Sequence, residues 1–374
     1  MKIGIFAPEL KYLGGGEKYI GTIAEILAIK DEVEILTLET TNKRTLARRL
    51  NINLGTRVEI KTIGRFGNIP ILRTLSGSFI IPALSKKYDI FICQERWIVP
   101  RSRSKRSLVI REIPPSWRYF VFSRLISKIF SRYLDNMLKS YNMIIANSYF
   151  TKNCSDIYWD NKSIVLHPPV DIELTKQTVK RNAILTVGRF FVGGHNKKQL
   201  FLIETFKKLH DHFLQDWEFY LIGGVTNNRR DLGFVNRCIK ETKGYPIHIH
   251  TNISYQQLKA HYRNSKIFWL ATGFGEDKTT HPEKLEHFGI STVEAMASGC
   301  VPIVFGEGGQ LEIVRHGTDG FLWKDPNELE HFTTKVANDT KLLQSMSDAA
   351  MERSKEFGLK NFEVSLKDIL YSLI

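Results

Sequence analysis

Cysteine is scarce in this chain, with four in 374 residues. Cys93, Cys154, Cys238 and Cys300 are far apart, and no CxxC or Cys/His ligand spacing joins them. That excludes a disulfide scaffold and a zinc ribbon. Cys93 and Cys300 stand in or beside apolar runs and read as small core residues, so a reducing compartment is expected. Long apolar runs are also missing. None reaches the ~18–20 residues of a membrane-spanning helix, and MKIGIFAPEL reads as a first strand, not as a signal peptide. A soluble or peripheral protein is the expectation. Histidine is unevenly placed, since all eleven lie at or after His167. Low-complexity segments and short repeats are absent, and 43% apolar with 25% charged residues is a globular composition.

What the first half lacks most is acid. Residues 1–170 carry 27 Lys and Arg against 14 Asp and Glu, while residues 171–374 carry 26 against 25. Nearly all of the net +14 therefore belongs to one half. A basic half beside a neutral one suits a polyanion or an anionic membrane surface on that side, although solvation alone also accounts for it.

At roughly 100–200 residues per domain, the length points to two domains. Strand-like runs alternate with helical patterns from Lys2–Phe6 through Val33–Leu36, Val58–Lys61, Asp89–Cys93 and Leu108–Ile110 to Met143–Ala146. Between them, Glu17–Leu27 places Ile20, Ile23, Ala24 and Leu27 on one helix face. The pattern breaks at His167-Pro168-Pro169-Val170-Asp171, where two prolines oppose helix and central strand. It restarts with Ala183–Val187, Glu218–Ile222, Ile247–His250, Ile267–Leu270, Pro302–Phe305 and Gly320–Leu322. Two such series predict an α/β protein of two Rossmann-like, doubly wound parallel-sheet domains, with the ligand beyond the carboxyl ends of the strands, in a cleft that the sheets face. The expected division is 1–171, 172–355, and a helical segment 356–374 that packs back toward the first domain.

Two segments carry chemistry. The first loop, Tyr12-Leu13-Gly14-Gly15-Gly16-Glu17, joins strand to helix, and its glycines let backbone N–H groups approach an anion or an acceptor. It has neither the GxGxxG spacing nor a P-loop GKS/T, and a tight turn explains it equally well. The denser segment is Glu286-His287-Phe288-Gly289-Ile290-Ser291-Thr292-Val293-Glu294, continuing through Gly299 into Cys300–Val304. It reads as a loop, a helix from about Ile290 to Ser298, a glycine stop and a strand. Ser291 and Thr292 fall in the first turn, where helix N–H groups can hold an anion. Glu286 precedes that turn and Glu294 follows it, eight residues on.

EHFGISTVEAMASGCVPIV resembles the E-x7-E signature of the retaining, nucleotide-sugar-dependent glycosyltransferases of family four, which have the GT-B fold. Val187-Gly188-Arg189-Phe190 with Lys197, Leu221-Ile222-Gly223-Gly224, and Gly308-Gly309-Gln310-Leu311-Glu312-Ile313-Val314 resemble other segments of that family in order and spacing. So do Gly14–Gly16, Asn147–Thr151 and Pro168–Asp171 in the first half. The EHFGI form is similar to the mannosyltransferases that build lipid-linked oligosaccharides. The resemblance implies a hexosyltransferase in which Arg189 and Lys197 bind the donor diphosphate. It further implies that Glu294 holds the ribose, that Glu286 meets sugar hydroxyls, and that Phe288, Gly289, Ile290, Ser291, Thr292 and Gly223 line the donor site. Retention would come from front-face attack assisted by the leaving phosphate, so Glu286 and Glu294 are not a hydrolase pair. No cofactor or metal is implied, in keeping with the lack of any DxD sequence.

One departure concerns the first domain. Many members of the family place an active-site His near the stretch that here reads Ile110-Arg111-Glu112-Ile113-Pro114-Pro115, and Glu112 is the candidate to stand there on the acceptor side. His195, His281 and His287 fall near the expected donor site and read as loop polar residues. In the basic half, Arg101–Arg106 reads as a solvated loop. Tyr119–Leu134 spaces Arg124, Lys128 and Arg132 every fourth residue, a stripe that suits an anionic membrane or plain solvation. The combined expectation is a cytoplasmic enzyme, peripheral on the inner membrane face, with a nucleotide-sugar donor and a glycan or lipid-linked acceptor. A soluble acceptor, as in sugar-phosphate synthesis, is the alternative within the same fold. Nucleic acid is not an expected partner, because no helix-turn-helix, zinc-finger or RNA-recognition signature accompanies the charge.

Overall fold

The computed structural model describes residues 1–10, 14–63, 70–95, 99–113, 133–157, 163–172 and 179–373. The chain divides into two units, Met1–Pro169 with Lys360–Ile374, and Val170–Leu359. The basic stripe at Arg124, Lys128 and Arg132 lies outside the described residues, as do Tyr12, Leu13, Pro114 and Pro115.

The first unit holds seven strands, β1 Lys2–Phe6, β2 Glu32–Thr37, β3 Val58–Thr62, β4 Ile90–Gln94, β5 Ser107–Arg111, β6 Met143–Ala146 and β7 Ile164–Val165. Their order is β3-β2-β1-β4-β5-β6-β7, and every pairing is parallel. Alternate residues of β1 supply opposite faces, as the period of two requires. Ile3 and Ile5 join a core with Ile20, Ile23 and Ala24 of the helix Gly15–Leu27 and with Phe362 and Leu366 of the helix Leu359–Ser372. Phe6 faces a second core with Leu36, Phe91, Cys93 and Val109. Both faces are covered, which is why Ile90–Cys93 of β4 and Leu108–Ile110 of β5 read as unbroken apolar runs.

The second unit repeats the scheme with β8 Arg181–Val187, β9 Glu218–Gly223, β10 Ile247–Thr251, β11 Ser265–Leu270, β12 Val301–Phe305 and β13 Phe321–Trp323. The order β10-β9-β8-β11-β12-β13 is again all parallel. Ile184 and Leu185, neighbours on β8, belong to cores on opposite faces. The order reverses beside β8 in this sheet and beside β1 in the other, so loops leaving those strands diverge and open a crevice at the carboxyl ends. The two doubly wound α/β sheets of the sequence reading are thus present, with the two-residue β7 as an addition.

The thiols lie within this packing. Cys93 and Cys300 are fully buried, and burial pushes Cys93 up to about 12 and raises Cys300. All four cysteines are free thiols.

Candidate active site

The loops that follow β8, β9, β11 and β12 gather most of the residues singled out in the second unit. After β8 the backbone turns across the end of β9, where Gly188 N–H donates to Ile222 O at 2.9 Å and Phe190 N–H to Gly224 O at 2.9 Å. That approach needs Gly223 to lack a side chain, since a Cβ there would stand 2.0 Å from Gly188 O. The crossing leaves Arg189 exposed at the strand end, with its guanidinium carbon 5.9 Å from the Phe191 ring centre.

Lys197 comes back from the same loop, its stem lying against Gly188. Its ammonium meets Glu286 Oε2 at 2.6 Å, and both side chains are nearly buried. His195 Nε2 stands 3.9 Å from the other oxygen, Oε1, and the His195 ring stacks on His287 at 4.7 Å between centres. Burial above all, and then the charges of Lys197, His287 and Arg189, hold the His195 imidazole well below the ordinary histidine range, so it is neutral at physiological pH. Beside it Lys198 and Lys284 both bind Glu276, at 2.7 and 3.0 Å, and outweigh burial to lower that carboxyl.

Glu286 is positioned through its own backbone. Gly309 N–H donates to Glu286 O at 2.7 Å. Gly308, at φ +67°, presses so close that a Cβ would come 2.3 Å from that same carbonyl. Gln310 then ties the segment together, accepting from Thr292 Oγ1 at 2.9 Å and donating to Phe288 O at 3.0 Å. The helix Ile290–Ala297 starts from Gly289, whose carbonyl takes the N–H groups of Thr292 and Val293. Helix geometry leaves the N–H groups of Ile290 and Ser291 without intrahelical acceptors, aimed out of the helix start.

Glu294 is held from another direction. Tyr262 Oη donates to Oε2 at 3.1 Å and Tyr255 Oη to Oε1 at 3.4 Å, both from the helix Tyr255–Asn264. Burial first, and Glu294 second, raise both phenols, which remain protonated donors. Tyr255 also reaches Asp171, which pairs with Lys259 at 2.7 Å. Glu286, Lys197 and His195 therefore form one cluster, and Glu294 sits in a second, joined to the first by the Phe288–Val293 backbone.

In the first unit, Gly14 is the N-cap of Gly15–Leu27, and its N–H donates to the buried Glu17 carboxylate at 2.6 Å. That N–H is thus bonded to a carboxylate of its own chain. Glu112 is buried at the end of β5. It accepts from Gln94 Nε2 at 3.0 Å, and Asn147 Nδ2 donates to its carbonyl at 3.0 Å. Each amide donates an N–H to Glu112, and among the described residues Gln94 Oε1 and Asn147 Oδ1 are buried acceptors without donors. Arg111, fully buried, pairs with Glu95 through two hydrogen bonds of 2.5 and 3.2 Å.

No local signal in the sequence marks Tyr255, Tyr262 or Gln94, whereas Gln310 falls in the Gly308–Val314 segment already singled out. Among the described residues no group of three or more His, Cys, Asp or Glu could hold a metal ion, and no helix is long and apolar enough to cross a membrane.

Residues 172–353 match the family model of the group 1 glycosyl transferases. A GDP-Man:Man(3)GlcNAc(2)-PP-Dol alpha-1,2-mannosyltransferase of Dictyostelium discoideum is 26% identical over 265 residues, 66% of this chain and 50% of that protein. An alpha-1,3/1,6-mannosyltransferase of Neurospora crassa is 24% identical, over 60% of this chain and 53% of its own. The chain spans about half the length of the curated relatives it matches. Among solved structures, Anabaena HepE in complex with UDP and glucose superposes over the whole of both chains with a TM-score of 0.73 at 16% identity. Sucrose-phosphate synthase from Thermosynechococcus elongatus reaches 0.76 at 15% identity, over 100% of this chain and 99% of its own. These likenesses establish the GT-B type of fold.

Proposed function

We propose that this protein, whose residues 172–353 match the family model of the group 1 glycosyl transferases, is a retaining hexosyltransferase that moves mannose from a nucleoside diphosphate sugar to a glycan or lipid-linked acceptor. The observation that carries the reading is the gathering of Lys197, Glu286 and the start of Ile290–Ala297 at the carboxyl ends of one parallel sheet, with Arg189 at the adjoining strand end. As the glycosidic bond breaks, negative charge grows on the leaving diphosphate and the anomeric carbon becomes oxocarbenium-like. Arg189, Lys197 and the Ile290 and Ser291 N–H groups oppose the first change by preorganised electrostatics. Glu286 and Glu294 orient sugar and ribose hydroxyls, which is the role of a carboxylate already fixed by neighbours. Arrival of the diphosphate draws Lys197 from Glu286 and frees that carboxylate for the sugar. Chemistry of this kind needs no metal ion. The relatives named for GDP-mannose and dolichol-linked acceptors support the choice of donor sugar and acceptor class.

A thermal-shift series with GDP, UDP, ADP and their sugars tests the donor. At a hundredfold excess over Kd a selective nucleotide adds about 2.7 kcal/mol, or about 5–10 °C for a unit of this size. GDP and GDP-mannose are expected to give that shift, and a flat response to every nucleotide overturns the reading.

On the acceptor side we propose that the basic first half meets an anionic membrane at the cytoplasmic face, each Lys or Arg near the surface contributing about 1 kcal/mol. Vesicles containing phosphatidylserine should then sediment the protein at low salt and release it at about 0.5 M, where screening shortens the range of charge. Transfer to a soluble sugar without any such sedimentation would favour a soluble acceptor.

A further inference from the structure

The neighbourhood of Glu286 contains a buried nitrogen that the proposed chemistry has not used. Lys197 engages Oε2, and Oε1 faces His195 Nε2 across 3.9 Å. Among the described residues nothing hydrogen-bonds to that nitrogen, although it is shielded from solvent. A buried polar atom without a partner costs about 1–3 kcal/mol, and such atoms in folded proteins call for a specific account. The ring lies stacked on His287, which holds its plane. His195 also donates a ring N–H to the Leu285 backbone, and since Nε2 has no partner that N–H is on Nδ1, which leaves the lone pair of the neutral ring on Nε2.

A carboxylate oxygen and an imidazole nitrogen thus stand side by side as two acceptors. Adjacent hydroxyls on a pyranose ring lie about 2.9 Å apart, and each can donate at ~2.8 Å to an acceptor slightly farther from its neighbour. Building on the hexosyltransferase reading, we propose that Glu286 Oε1 and His195 Nε2 receive two adjacent hydroxyls of the transferred sugar, one each, which makes His195 a specificity-determining residue of the donor site. His287 is the positioning residue that fixes the plane of the ring.

The test uses the donor that stabilises the wild-type protein, together with its 2-, 3-, 4- and 6-deoxy analogues. In wild type, kcat/KM falls at least about tenfold for two adjacent deoxy positions. His195→Phe keeps a ring on His287 and removes the nitrogen; His195→Leu removes both and guards against overpacking by the larger ring. In either variant the penalty at one of the two positions collapses, the other persists, and affinity for the bare nucleoside diphosphate is unchanged. Deoxy penalties that remain as in wild type, or a loss spread evenly over every analogue and the bare diphosphate, overturn the role of His195. Failure of wild type to bind any nucleoside diphosphate instead overturns the hexosyltransferase reading, and this proposal with it.

Discussion

Arg189→Ala is expected to lower hexosyl transfer by about 10²–10³-fold, the usual effect of removing one preorganised group that meets developing charge, and to leave the melting temperature nearly unchanged. The two halves of this result have separate causes. Arg189 is exposed at the end of β8, so truncation opens no cavity and strands no buried partner. Exposed substitutions of that kind stay within about 0.5 kcal/mol of wild type. Against a leaving diphosphate, however, the planar guanidinium offers two parallel N–H donors, which neither water nor a single ammonium replaces. Arg189→Lys should therefore recover only part of the rate. The neighbouring Lys197→Ala differs, because it leaves the nearly buried Glu286 carboxylate without its ammonium, and it should cost stability as well as turnover. Steady-state kinetics beside calorimetry on the same preparations separates these cases. Wild-type transfer by Arg189→Ala would remove Arg189 from the site.

The second large effect comes from a residue that touches no substrate in the proposed scheme. Gly308→Ala is expected to lower both the melting temperature and the transfer rate, the latter by about 10²-fold. At φ +67° an alanine carries about 1–2 kcal/mol of left-handed strain. Its Cβ would also stand 2.3 Å from Glu286 O, a contact relieved only by moving one backbone away from the other. A displacement near 1 Å at a positioning group costs about 10²-fold in rate. Gly317 supplies the control. Its φ is +76°, and a Cβ there meets nothing within 4 Å. Gly317→Ala should show the strain in its melting temperature and normal transfer. If Gly308→Ala and Gly317→Ala behave alike in both measurements, the clamp on Glu286 has no catalytic consequence.

Much of the fold was legible because parallel strands buried on both faces must be short, apolar and β-branched. Ile3–Ile5 on β1 and Ile184–Leu185 on β8 show that signature without help from any neighbour. The strand Ile164–Val165 was not legible, since two residues flanked by Ser163 and Leu166 carry no period. In the site, Glu286 and Glu294 flank a glycine-started helix and Arg189 follows a strand, and the resemblance of their segments to a known family is what singled them out. The tyrosines that hold Glu294 have no such mark. Tyr255 and Tyr262 lie more than thirty residues before Glu294, in a helix that reads as ordinary amphipathic sequence. His195 and His287 each look like a polar loop residue until the loops after β8 and β11 bring them into one stack. Glu112 was noticed at the end of β5, whereas Gln94, which donates to it, comes from the adjacent strand β4.

What the sequence determined by itself was local: where strands and helices begin, which loops need glycine, and which half carries the charge. These follow from steric and hydrophobic preferences that act over a few residues. The pairing of Lys197 with Glu286, the unpartnered nitrogen of His195, the tyrosines on Glu294 and the pressure of Gly308 on the Glu286 backbone were decided by tertiary structure. Each joins loops or helices that are distant in the chain, and their distances exist only once a parallel sheet has lined up its carboxyl ends.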